Sequence, residues 1–541
     1  MKQLITKTTL IIIIALLSSN FAFSQVDKSD WAGGFPEGCT TITVGKKATA
    51  DGSVITSHTD DSHRTRSWMD IIPAKEHKKG ATTTMYKRKA SDSLAMPSYA
   101  HTPIGEIPQT KKTFGYINTA YPCMNTEQLA IGESTFGGRD ELQSDEGLID
   151  CQRLVALMLE RCTTAREAIE MADELTKKYG WNDAGECLTI ADTKEVWHFE
   201  IVGSGKGTVG AVWVAQRVPD DHVSVNANAS RIRQIDLSDK NNFMASENIY
   251  KVAEENGYWK KGEVFEFCYA YAPHSRESVA SRRREWRTLD LFAPSLNLSP
   301  TAENYPFSVK PDEIISLQQI VDVFKDYYEN TPYDMTRNIT TTDKDGKTII
   351  SPMANPFMPY DQLEISNVSG GWYSVSEKDN SIYFLGERTI ARWYTMYGTI
   401  TQSRDWLPNE IGGVVWLAQD NIATSIYIPV YCGVTDLPKS YKTPGRNGYT
   451  HESAWWAFNR LGTLTAQRWG EMRHDVDAKW IPLQKQYFDN QKEIEKKALA
   501  IKDIKARKAF LTKYTNQCGN NVVSEAWKLG DFLWTKYDEK F

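Results

Sequence analysis

The chain has 541 residues, of which 41% are hydrophobic and 11% aromatic, so it contains enough apolar side chains for large buried cores. The formal net charge is −6 at pH 7 and the two signs of charge are interspersed, which argues against a nucleic-acid-binding or membrane-surface protein. The eight cysteines are too few for a disulfide scaffold at this length, and neither Cys-x-x-Cys pairs nor Cys/His clusters at zinc-ligand spacing occur. Their pairing is left open.

Residues 1–24 have the pattern of a secretory signal peptide. Lys2 and Lys7 give a positive charge to the segment before the apolar run Leu10–Leu17. Ala22 and Ser24 then place small residues at the two positions that signal peptidase reads. The apolar run is too short to span a bilayer. We therefore expect export to the periplasm or to the outside of the cell, without a membrane anchor.

The segment 25–38 is polar, contains three glycines and shows no apolar periodicity, so we expect no folded structure there. It ends at Gly38, directly before Cys39. Two interpretations are open. The segment is either a flexible mature N-terminus or a propeptide whose removal makes Cys39 the first residue.

The pattern after Gly38 predicts a mixture of strands and helices. Residues 40–44 and 53–57 are β-branched and flank Asp51-Gly52, which predicts a β-hairpin. Residues 151–180 are apolar at helical spacing around a capping sequence at 163–167, which predicts two helices. Further predicted elements are strands at 127–135, 210–218, 412–420 and 424–431, a hairpin at 187–203 that turns at 192–194, and helices at 314–328 and 480–514. Strands and helix pairs do not alternate strictly, so the predicted class is α+β.

Two pairs of residues near or on predicted strands have side chains of metal-ligating types. His58 and His63 lie five residues apart, and side chains alternate across a strand, so their rings are expected to point to opposite faces. His198 and Glu200 share a strand face but lie among aromatic residues, which favours packing. We expect no metal site and no organic cofactor.

A cysteine at a new N-terminus carries a thiol and an α-amine on one residue. Their unperturbed pKa values are about 8.5 and about 7.7–8.0, so the amine is a base near neutral pH. It can accept the thiol proton, the thiolate can attack an amide carbonyl, and the ammonium can protonate the leaving amine. One residue, Cys39, then supplies nucleophile, base and acid.

The same thiol can release its own N-terminus. In the precursor the Cys39 sulfur can attack the carbonyl carbon of Gly38, which lacks a Cβ and can adopt the strained backbone that such an attack requires. Asp60 and Asp61 end the second strand of the predicted hairpin. The hairpin therefore places these carboxylates close to Cys39.

The stretch GCTTITVGKKATADGSVITSHTDD, residues 38–61, resembles the start of the secernin/dipeptidase-A family of cysteine dipeptidases. Further blocks resemble the family in the same order along nearly all of the chain after residue 39. They are residues 124–135 (MNTEQLAIGEST), 190–203 (IADTKEVWHFEIVG), 212–237, 306–336, 410–431 and 526–537.

The resemblance implies an N-terminal nucleophile hydrolase with a four-layer αββα sandwich and added C-terminal helices. It implies hydrolysis of dipeptides by a self-processed N-terminal cysteine, without a cofactor. The implied organisation is a propeptide over 25–38, a catalytic domain over 39–480 and a helical extension over 481–541 that packs on the same domain.

The resemblance also assigns roles to residues near the start of the chain. Cys39 matches the nucleophile, and Asp61 matches the acidic residue that holds the α-amine in choloylglycine-hydrolase relatives. Three residues before that aspartate many relatives have arginine, whereas this chain has His58, whose charge depends on pH. We assign His58 to substrate binding.

An asparagine that supports the oxyanion hole in these relatives matches Asn226 or Asn228, with a slight preference for Asn226 as the catalytic residue and Asn228 assigned to substrate binding. A site arginine matches Arg284, and Arg287 is the second choice.

Two more residues are assigned to substrate binding. Thr135 lies where relatives present another oxyanion donor, and its backbone N–H can serve. Glu133 has the charge to bind the α-ammonium of a dipeptide. A purely structural role stays open for Asp61, for Arg284 and for the two asparagines. For Glu133 a structural ion pair is favoured over substrate binding.

Two other functions remain as alternatives. The first is hydrolysis of N-acyl amides, as in the choloylglycine hydrolases and penicillin acylases. The second is a secreted binding protein of the same fold without activity. A dipeptidase recognises a free α-amine, so a carboxylate in the pocket favours it over the acylase. The expected partner is a dipeptide substrate rather than a nucleic acid, and a homo-oligomer is left open.

Overall fold

The structure is a computed structural model that describes residues 38–62, 67–91, 98–337, 339–357, 373–375, 382–384 and 387–540. The predicted signal peptide, the predicted propeptide up to residue 37, and His63 lie outside the described residues.

The strands of the described residues are grouped mainly into two large sheets. In chain order they are β1 (Gly38–Val44), β2 (Val54–Asp61), β3 (Asp70–Ile72), β4 (Lys75–Glu76), β5 (Thr82–Ser91), β6 (Ser98–Pro108), β7 (Lys112–Thr113), β8 (Tyr116–Asn118), β9 (Met124–Asn125), β10 (Ala130–Gly137), β11 (Gly185–Ala191), β12 (Val196–Val202), β13 (Val212–Val218), β14 (Val223–Asn226), β15 (Phe243–Ala245), β16 (Ser308–Val309), β17 (Thr340–Thr342), β18 (Thr348–Ile350), β19 (Tyr373–Val375), β20 (Ile382–Phe384), β21 (Thr395–Ser403), β22 (Val414–Gln419) and β23 (Ile428–Tyr431).

Both large sheets are antiparallel throughout. Sheet A has seven strands in the order β16-β14-β1-β2-β21-β22-β23, and sheet B has eight in the order β15-β13-β12-β11-β10-β9-β8-β3. Four two-stranded pairs complete the described strands: β4-β7, β5-β6, β17-β18 and β19-β20. The central strands of both sheets are buried and rich in β-branched and aromatic residues, as strands covered on both faces are.

The helices of the described residues are twelve. They are α1 (Cys151–Arg161), α2 (Ala165–Tyr179), α3 (Ile249–Glu255), α4 (Phe267–Tyr271), α5 (Pro273–Glu277), α6 (Val279–Phe292), α7 (Leu317–Lys325), α8 (Asn409–Gly412), α9 (Lys439–Lys442), α10 (Ala454–Gln467), α11 (Trp469–Ala500) and α12 (Ile504–Lys536). The predicted α+β class is confirmed.

The N-terminal hairpin forms as predicted, with Gly38 paired to Asp61 and Cys39 to Asp60 across β1 and β2. Its turn uses Gly52 at φ +84, a conformation that residues with a Cβ adopt only at a cost. The Asp51 carboxylate accepts hydrogen bonds from the backbone and the hydroxyl of Ser53, which closes the turn. The turn fixes the register, so the two aspartates end beside the start of β1.

The two sheets pack against each other through small and hydroxyl-bearing side chains. The Thr56 hydroxyl on β2 lies 2.7 Å from the Thr189 hydroxyl on β11, and the Thr43 hydroxyl on β1 lies 2.9 Å from Nε2 of His198 on β12. His198 is thus a buried packing residue, as the sequence favoured. On β10, Gly132 lets its strand approach the backbone of β2 closely.

Helices cover the other faces of the sheets. Helices α1 and α2 form the predicted pair, with a capping box in which the Thr164 hydroxyl and the Glu167 carboxylate bond each other's backbone N–H, and α2 contacts β11 and β12. On sheet A, the Thr515 hydroxyl of α12 donates to the Pro429 carbonyl at 2.8 Å. Gln484 of α11 bonds both the backbone N–H and the carbonyl of Tyr427.

The C-terminal helices are longer than predicted. The predicted helix over 480–514 is replaced by α11, which begins at residue 469, and by α12, which ends at residue 536. The predicted domain boundary at residue 480 lies inside α11. Leu511 and Val522 of α12 belong to the same hydrophobic core as Ile428 and Val430 of sheet A.

All eight cysteines lie in the described residues and are buried free thiols. In the ranges that the structure describes, no helix combines the length and the apolar character needed to cross a membrane.

Replacing Gly132 with alanine tests the close packing of the sheets. The added Cβ would lie 2.5 Å from the carbonyl oxygen of Ser57 and 2.6 Å from the hydroxyl oxygen of Thr189. The first of these atoms is backbone and cannot rotate away, so we expect Gly132→Ala to lower the free energy of unfolding by about 2–3 kcal/mol, a typical cost of overpacking. Urea unfolding followed by tryptophan fluorescence measures this change.

Gly80→Ala is the matched control. No atom lies within 4 Å of the added Cβ, so only the left-handed backbone, at φ +80, carries a cost of about 1 kcal/mol. Equal losses of stability for the two variants would contradict a close contact between the sheets at Gly132.

Candidate active site at Cys39

Cys39 lies at the start of β1, where three polar side chains contact three of its atoms. Its backbone N–H donates to Oδ1 of Asn228 at 2.8 Å. Its carbonyl oxygen accepts from Nη1 of Arg284 at 2.7 Å. Its thiol donates to Oε2 of Glu133 at 3.4 Å. The nitrogen, carbonyl and sulfur of one residue are therefore each held by a different element: the turn after β14, helix α6 and strand β10.

Asn228 rather than Asn226 reaches Cys39. Asn228 has φ +61, a left-handed conformation that asparagine tolerates, and this turns its side chain toward β1 just after β14 ends. Its Nδ2 donates to the carbonyl of Thr135 at 2.7 Å. The side chain of Asn226 instead bonds the carbonyl and the N–H of Ala229 within its own turn. The contact with Cys39 therefore favours Asn228, whereas the sequence analysis slightly preferred Asn226.

Arg284 is buried on α6 and is bonded to oxygen atoms around Cys39. Its Nη2 donates to the carbonyl of Ala227 and to Oδ1 of Asn228, both at 3.0 Å. Burial, and next the positive charge of Arg388, lower its pKa to about 9. The alternative, Arg287, pairs with the carboxylate of Asp326 at 2.7 and 3.0 Å and does not take part in these contacts.

Asp61 is buried opposite Gly38, at the end of β2. Its carboxylate forms an ion pair with the guanidinium of Arg388 and accepts a hydrogen bond from the Thr395 hydroxyl at 2.6 Å. Arg388 was not found from the sequence. It follows β20 in a segment without apolar periodicity, and nothing in the sequence distinguishes it from Arg392, the second arginine of the stretch 388–394.

Buried His58 and Glu133 and half-buried Thr135 form one cluster beside the thiol. Nε2 of His58 lies 3.4 Å from Oε2 of Glu133, and Nδ1 of His58 lies 3.4 Å from the Tyr397 hydroxyl. The Thr135 hydroxyl is 2.9 Å from Oε1 of Glu133 and 3.0 Å from Oε1 of Glu186. His58, Glu133, Thr135 and Asn228 are the four residues that were predicted to bind substrate. The structure brings them together around Cys39.

The two carboxylates of this cluster have different protonation states. Burial acts to raise the pKa of Glu133, but its interactions with the nearby His58, Glu186 and Thr135 side chains lower it to about 2. Burial, and next the charge of Glu133, raise the pKa of Glu186 well above its usual value. The Thr135 hydroxyl has a single proton, so a protonated Glu186 donates to it while it donates to ionised Glu133. Glu186 is a site residue that the sequence did not reveal.

The thiol of Cys39 is protonated at neutral pH in the uncleaved chain. Burial raises its pKa well above the usual value, and the negative charges of Glu133, Asp60 and Asp61 raise it further. A thiol in this state is a poor nucleophile. The reaction therefore requires a base that removes its proton.

A cavity of about 330 Å³ with both signs of charge in its wall is connected to this cluster through two side-chain contacts. Arg88 lines the cavity and donates to the Tyr121 hydroxyl at 2.9 Å, and the Tyr121 ring packs edge-on against the ring of His58 at 5.5 Å. The charged residues of its wall are Lys87, Arg88, Asp145, Asp150 and Asp183.

Comparison with known proteins places these residues in a family. The model of the family described as "Peptidase family C69" matches residues 38–481. A probable dipeptidase of Latilactobacillus sakei is 23% identical over 504 residues, which cover 90% of this chain and 94% of that relative. Dipeptidase A of Lactobacillus helveticus is 23% identical over 436 residues, which cover 79% and 81%. A probable dipeptidase of Salmonella dublin is 26% identical over 412 residues, which cover 73% and 81%.

The family model covers most of the chain and begins at the glycine that precedes Cys39. The resemblance to dipeptidases noted in the sequence is therefore confirmed: the chain belongs to peptidase family C69.

Proposed function

We propose that the protein is an exported cysteine dipeptidase that activates itself by cleaving the Gly38–Cys39 peptide bond. The observation that carries the proposal is the environment of Cys39, in which Asn228 holds the nitrogen, Arg284 the carbonyl and Glu133 the sulfur. Relatives named as dipeptidases over most of the chain's length support the substrate class.

Self-cleavage begins with attack of the Cys39 sulfur on the carbonyl carbon of Gly38. The C–S bond forms, the C–N bond to Cys39 breaks, and the released nitrogen takes the thiol proton. Water then opens the thioester, which leaves a carboxylate on Gly38 and a free thiol on Cys39. A Cβ at position 38 would lie inside van der Waals contact of Oδ1 of Asn228 and 3.3 Å from Nη2 of Arg388. Glycine is thus the residue that lets both groups approach this peptide bond.

Removal of Gly38 changes the surroundings of the new α-amine. Oδ1 of Asn228 remains an acceptor for one N–H of that amine, which orients its lone pair. Asp61, which lies opposite Gly38 in the uncleaved chain, comes to face the amine and favours its protonated form during the reaction. Arg388 and Thr395 fix the Asp61 carboxylate for this role.

Each turnover then uses the amine as the base that the buried thiol requires. The amine takes the thiol proton, the thiolate attacks the dipeptide carbonyl, and the ammonium returns the proton to the leaving amine. Water hydrolyses the thioester with the α-amine again as base. Arg284, bonded to the carbonyl of Cys39, keeps the nucleophile in place.

A dipeptide fits the charged surroundings better than an N-acyl amide does. Its free α-ammonium and α-carboxylate require opposite charges within a few ångströms, and the cavity near His58 offers aspartates together with Lys87 and Arg88. The Glu133 carboxylate already contacts Cys39, His58 and Thr135. We therefore assign it to positioning the thiol and these side chains rather than to binding the α-ammonium of the dipeptide.

The protein is proposed to be exported and to have the fold of an N-terminal nucleophile hydrolase. The pattern of residues 1–24 supports secretion to the periplasm or beyond. Sheets A and B are proposed to form the two inner layers of a four-layer αββα arrangement, which is supported by contacts of helix α2 with sheet B and of helices α10 to α12 with sheet A.

Replacing Cys39 with alanine tests the nucleophile. We expect Cys39→Ala to show no dipeptide hydrolysis and to keep the bond after Gly38 intact, whereas Cys39→Ser processes slowly and retains traces of activity. Intact-protein mass spectrometry and release of free amino acids measure the two effects.

Cys151→Ala, which removes another buried thiol near Glu133, should process and turn over normally. Normal turnover in Cys39→Ala would refute the assignment, and equal rates on a dipeptide and its Nα-acetylated form would favour the acylase.

Gly38→Ala isolates the processing step. The added methyl displaces Asn228 from the nitrogen of Cys39, so we expect the bond to be cut at least about tenfold more slowly, as loss of a hydrogen bond worth about 1.5 kcal/mol or more predicts. The cleaved forms of the two proteins have identical sequences after residue 38. Activity per cleaved chain should therefore be equal, and unchanged cleavage in a pulse-labelled time course would contradict the proposed geometry.

The paired variants Asn228→Ala and Asn226→Ala separate the two asparagines. Asn228→Ala removes the acceptor shared by Cys39 and Arg284, and hydrogen bonds to charged groups are worth about 1.5–3 kcal/mol, so kcat/KM should fall about 10- to 100-fold. Asn226→Ala breaks a turn bond and should lower stability by about 1 kcal/mol with a smaller loss of kcat/KM. A larger kinetic loss in folded Asn226→Ala would reverse the assignment.

A further inference from the structure

The side chains around the thiol form a set of potential metal ligands. Sγ of Cys39, Nε2 of His58 and one carboxylate oxygen of Glu133 all lie within 4.8 Å of one another. Oε2 of Glu133 is 3.4 Å from the sulfur and 3.4 Å from the imidazole nitrogen. Thiolate, imidazole and carboxylate are the three ligand types that zinc binds in proteins.

These separations agree with the edges of a zinc coordination tetrahedron. Zn–S bonds of about 2.3 Å and Zn–N and Zn–O bonds of about 2.0–2.2 Å place tetrahedral ligand atoms about 3.3–3.6 Å apart. A charge-assisted hydrogen bond between His58 and Glu133 would instead be about 2.7–2.9 Å long. The side chains are therefore spaced for an ion between them.

Nε2 of His58 supplies an independent observation. This atom is buried and has no hydrogen-bond partner in the part of the chain that the structure describes. A buried polar atom without a partner is costly, and a metal bond at Nε2 removes that cost. The other ring nitrogen, Nδ1, faces the Tyr397 hydroxyl, which is the second contact that metal-binding histidines usually make.

Glu133 is oriented in the same manner. The Thr135 hydroxyl holds Oε1, which leaves Oε2 directed at the sulfur and the imidazole. A thiolate and a carboxylate together carry two negative charges, which one Zn²⁺ neutralises in this buried site.

We propose that Cys39, His58 and Glu133 bind Zn²⁺ and that the bound ion blocks the enzyme reversibly. On binding, the thiol proton is released to solvent and a Zn–S bond forms, so the sulfur is no longer available for attack. In the cleaved chain the α-amine of Cys39 is on the same residue and, once its ammonium form has also released a proton to solvent, supplies a fourth ligand. The blocking effect rests on the proposed dipeptidase function, whereas the metal site itself does not.

A second group of ligand types competes for the same glutamate. Glu133, Cys151 and Glu186 also lie within 4.8 Å of one another. That group has no imidazole, and Oε1 of Glu186 is already engaged by the Thr135 hydroxyl at 3.0 Å. The first group is therefore favoured, and the two cysteines provide a matched pair of variants that distinguishes them.

Co²⁺ is a spectroscopic probe of the ligands. The purified full-length gene product, as secreted and stripped with a chelator, should bind one Co²⁺ per chain with a thiolate-to-cobalt charge-transfer band that Zn²⁺ abolishes by displacement. We expect the band to be absent in Cys39→Ala and retained in Cys151→Ala. His58→Asn and Glu133→Gln keep the thiol and should bind Zn²⁺ at least about tenfold more weakly, as measured by competition with a chromophoric chelator.

Several outcomes would overturn the inference. They are a band that persists in Cys39→Ala, a band that is lost in Cys151→Ala, cobalt binding without a thiolate band, and undiminished affinity in His58→Asn. Melting curves in chelator identify any variant that fails to fold, and the remaining two ligand variants then decide. If Zn²⁺ binds and dipeptides are not hydrolysed, only the proposed function fails. If the enzyme is active and saturating Zn²⁺ leaves its rate unchanged, the blocking role fails.

Discussion

The pairing of β1 with its two neighbours is the constraint on which the site depends. Strand β2 fixes one side through the register that sets Gly38 against Asp61, and β14 fixes the other by setting Thr41 against Asn226. The thiol therefore lies at a strand end, where the adjoining turn supplies Asn228 and sheet B supplies Glu133. A shift of one residue would turn Cys39 to the opposite face and separate it from all of these groups.

Burial of charge is the main energetic cost of this arrangement. Asp61 with Arg388 and Glu133 with His58 are almost fully buried, and desolvation of such pairs commonly offsets their attraction. Arg284 is stabilised by carbonyl and amide oxygens, those of Cys39, Ala227 and Asn228. These charged groups surround Cys39, where they set the protonation state of its thiol and the position of its backbone. Their placement agrees with a functional rather than a stabilising role.

The sequence predicted those features that depend on local chemistry. The β1–β2 hairpin follows from β-branched runs around Asp51-Gly52, and the α1–α2 pair follows from helical periodicity around the Thr164 cap. The proximity of Asp60 and Asp61 to Cys39 follows from the hairpin alone. The short 3-10 turn Ile422–Thr424, which precedes β23, and the early start of α11 were not predicted, because they depend on packing against sheet A rather than on propensity.

Features that join distant segments were not predictable from residue patterns. Arg388 reaches Asp61 across more than 300 residues of sequence, and Glu186 reaches Thr135 through the pairing of β10 with β11. The choice between Asn226 and Asn228 depends on a single left-handed residue, which a pattern of two similar asparagines does not reveal. The 3.4 Å spacing of sulfur, carboxylate and imidazole likewise exists only after both sheets have packed.

The most direct measurement is the N-terminal residue of chains that are catalytically active. Active protein is alkylated with iodoacetamide, with and without protection by a dipeptide, and the chains of both samples are analysed by N-terminal sequencing and peptide mass spectrometry. We expect Cys39 to be the first residue of these chains and to carry the alkyl group in proportion to the activity lost. Full activity in chains whose Cys39 is still bonded to Gly38 would contradict it.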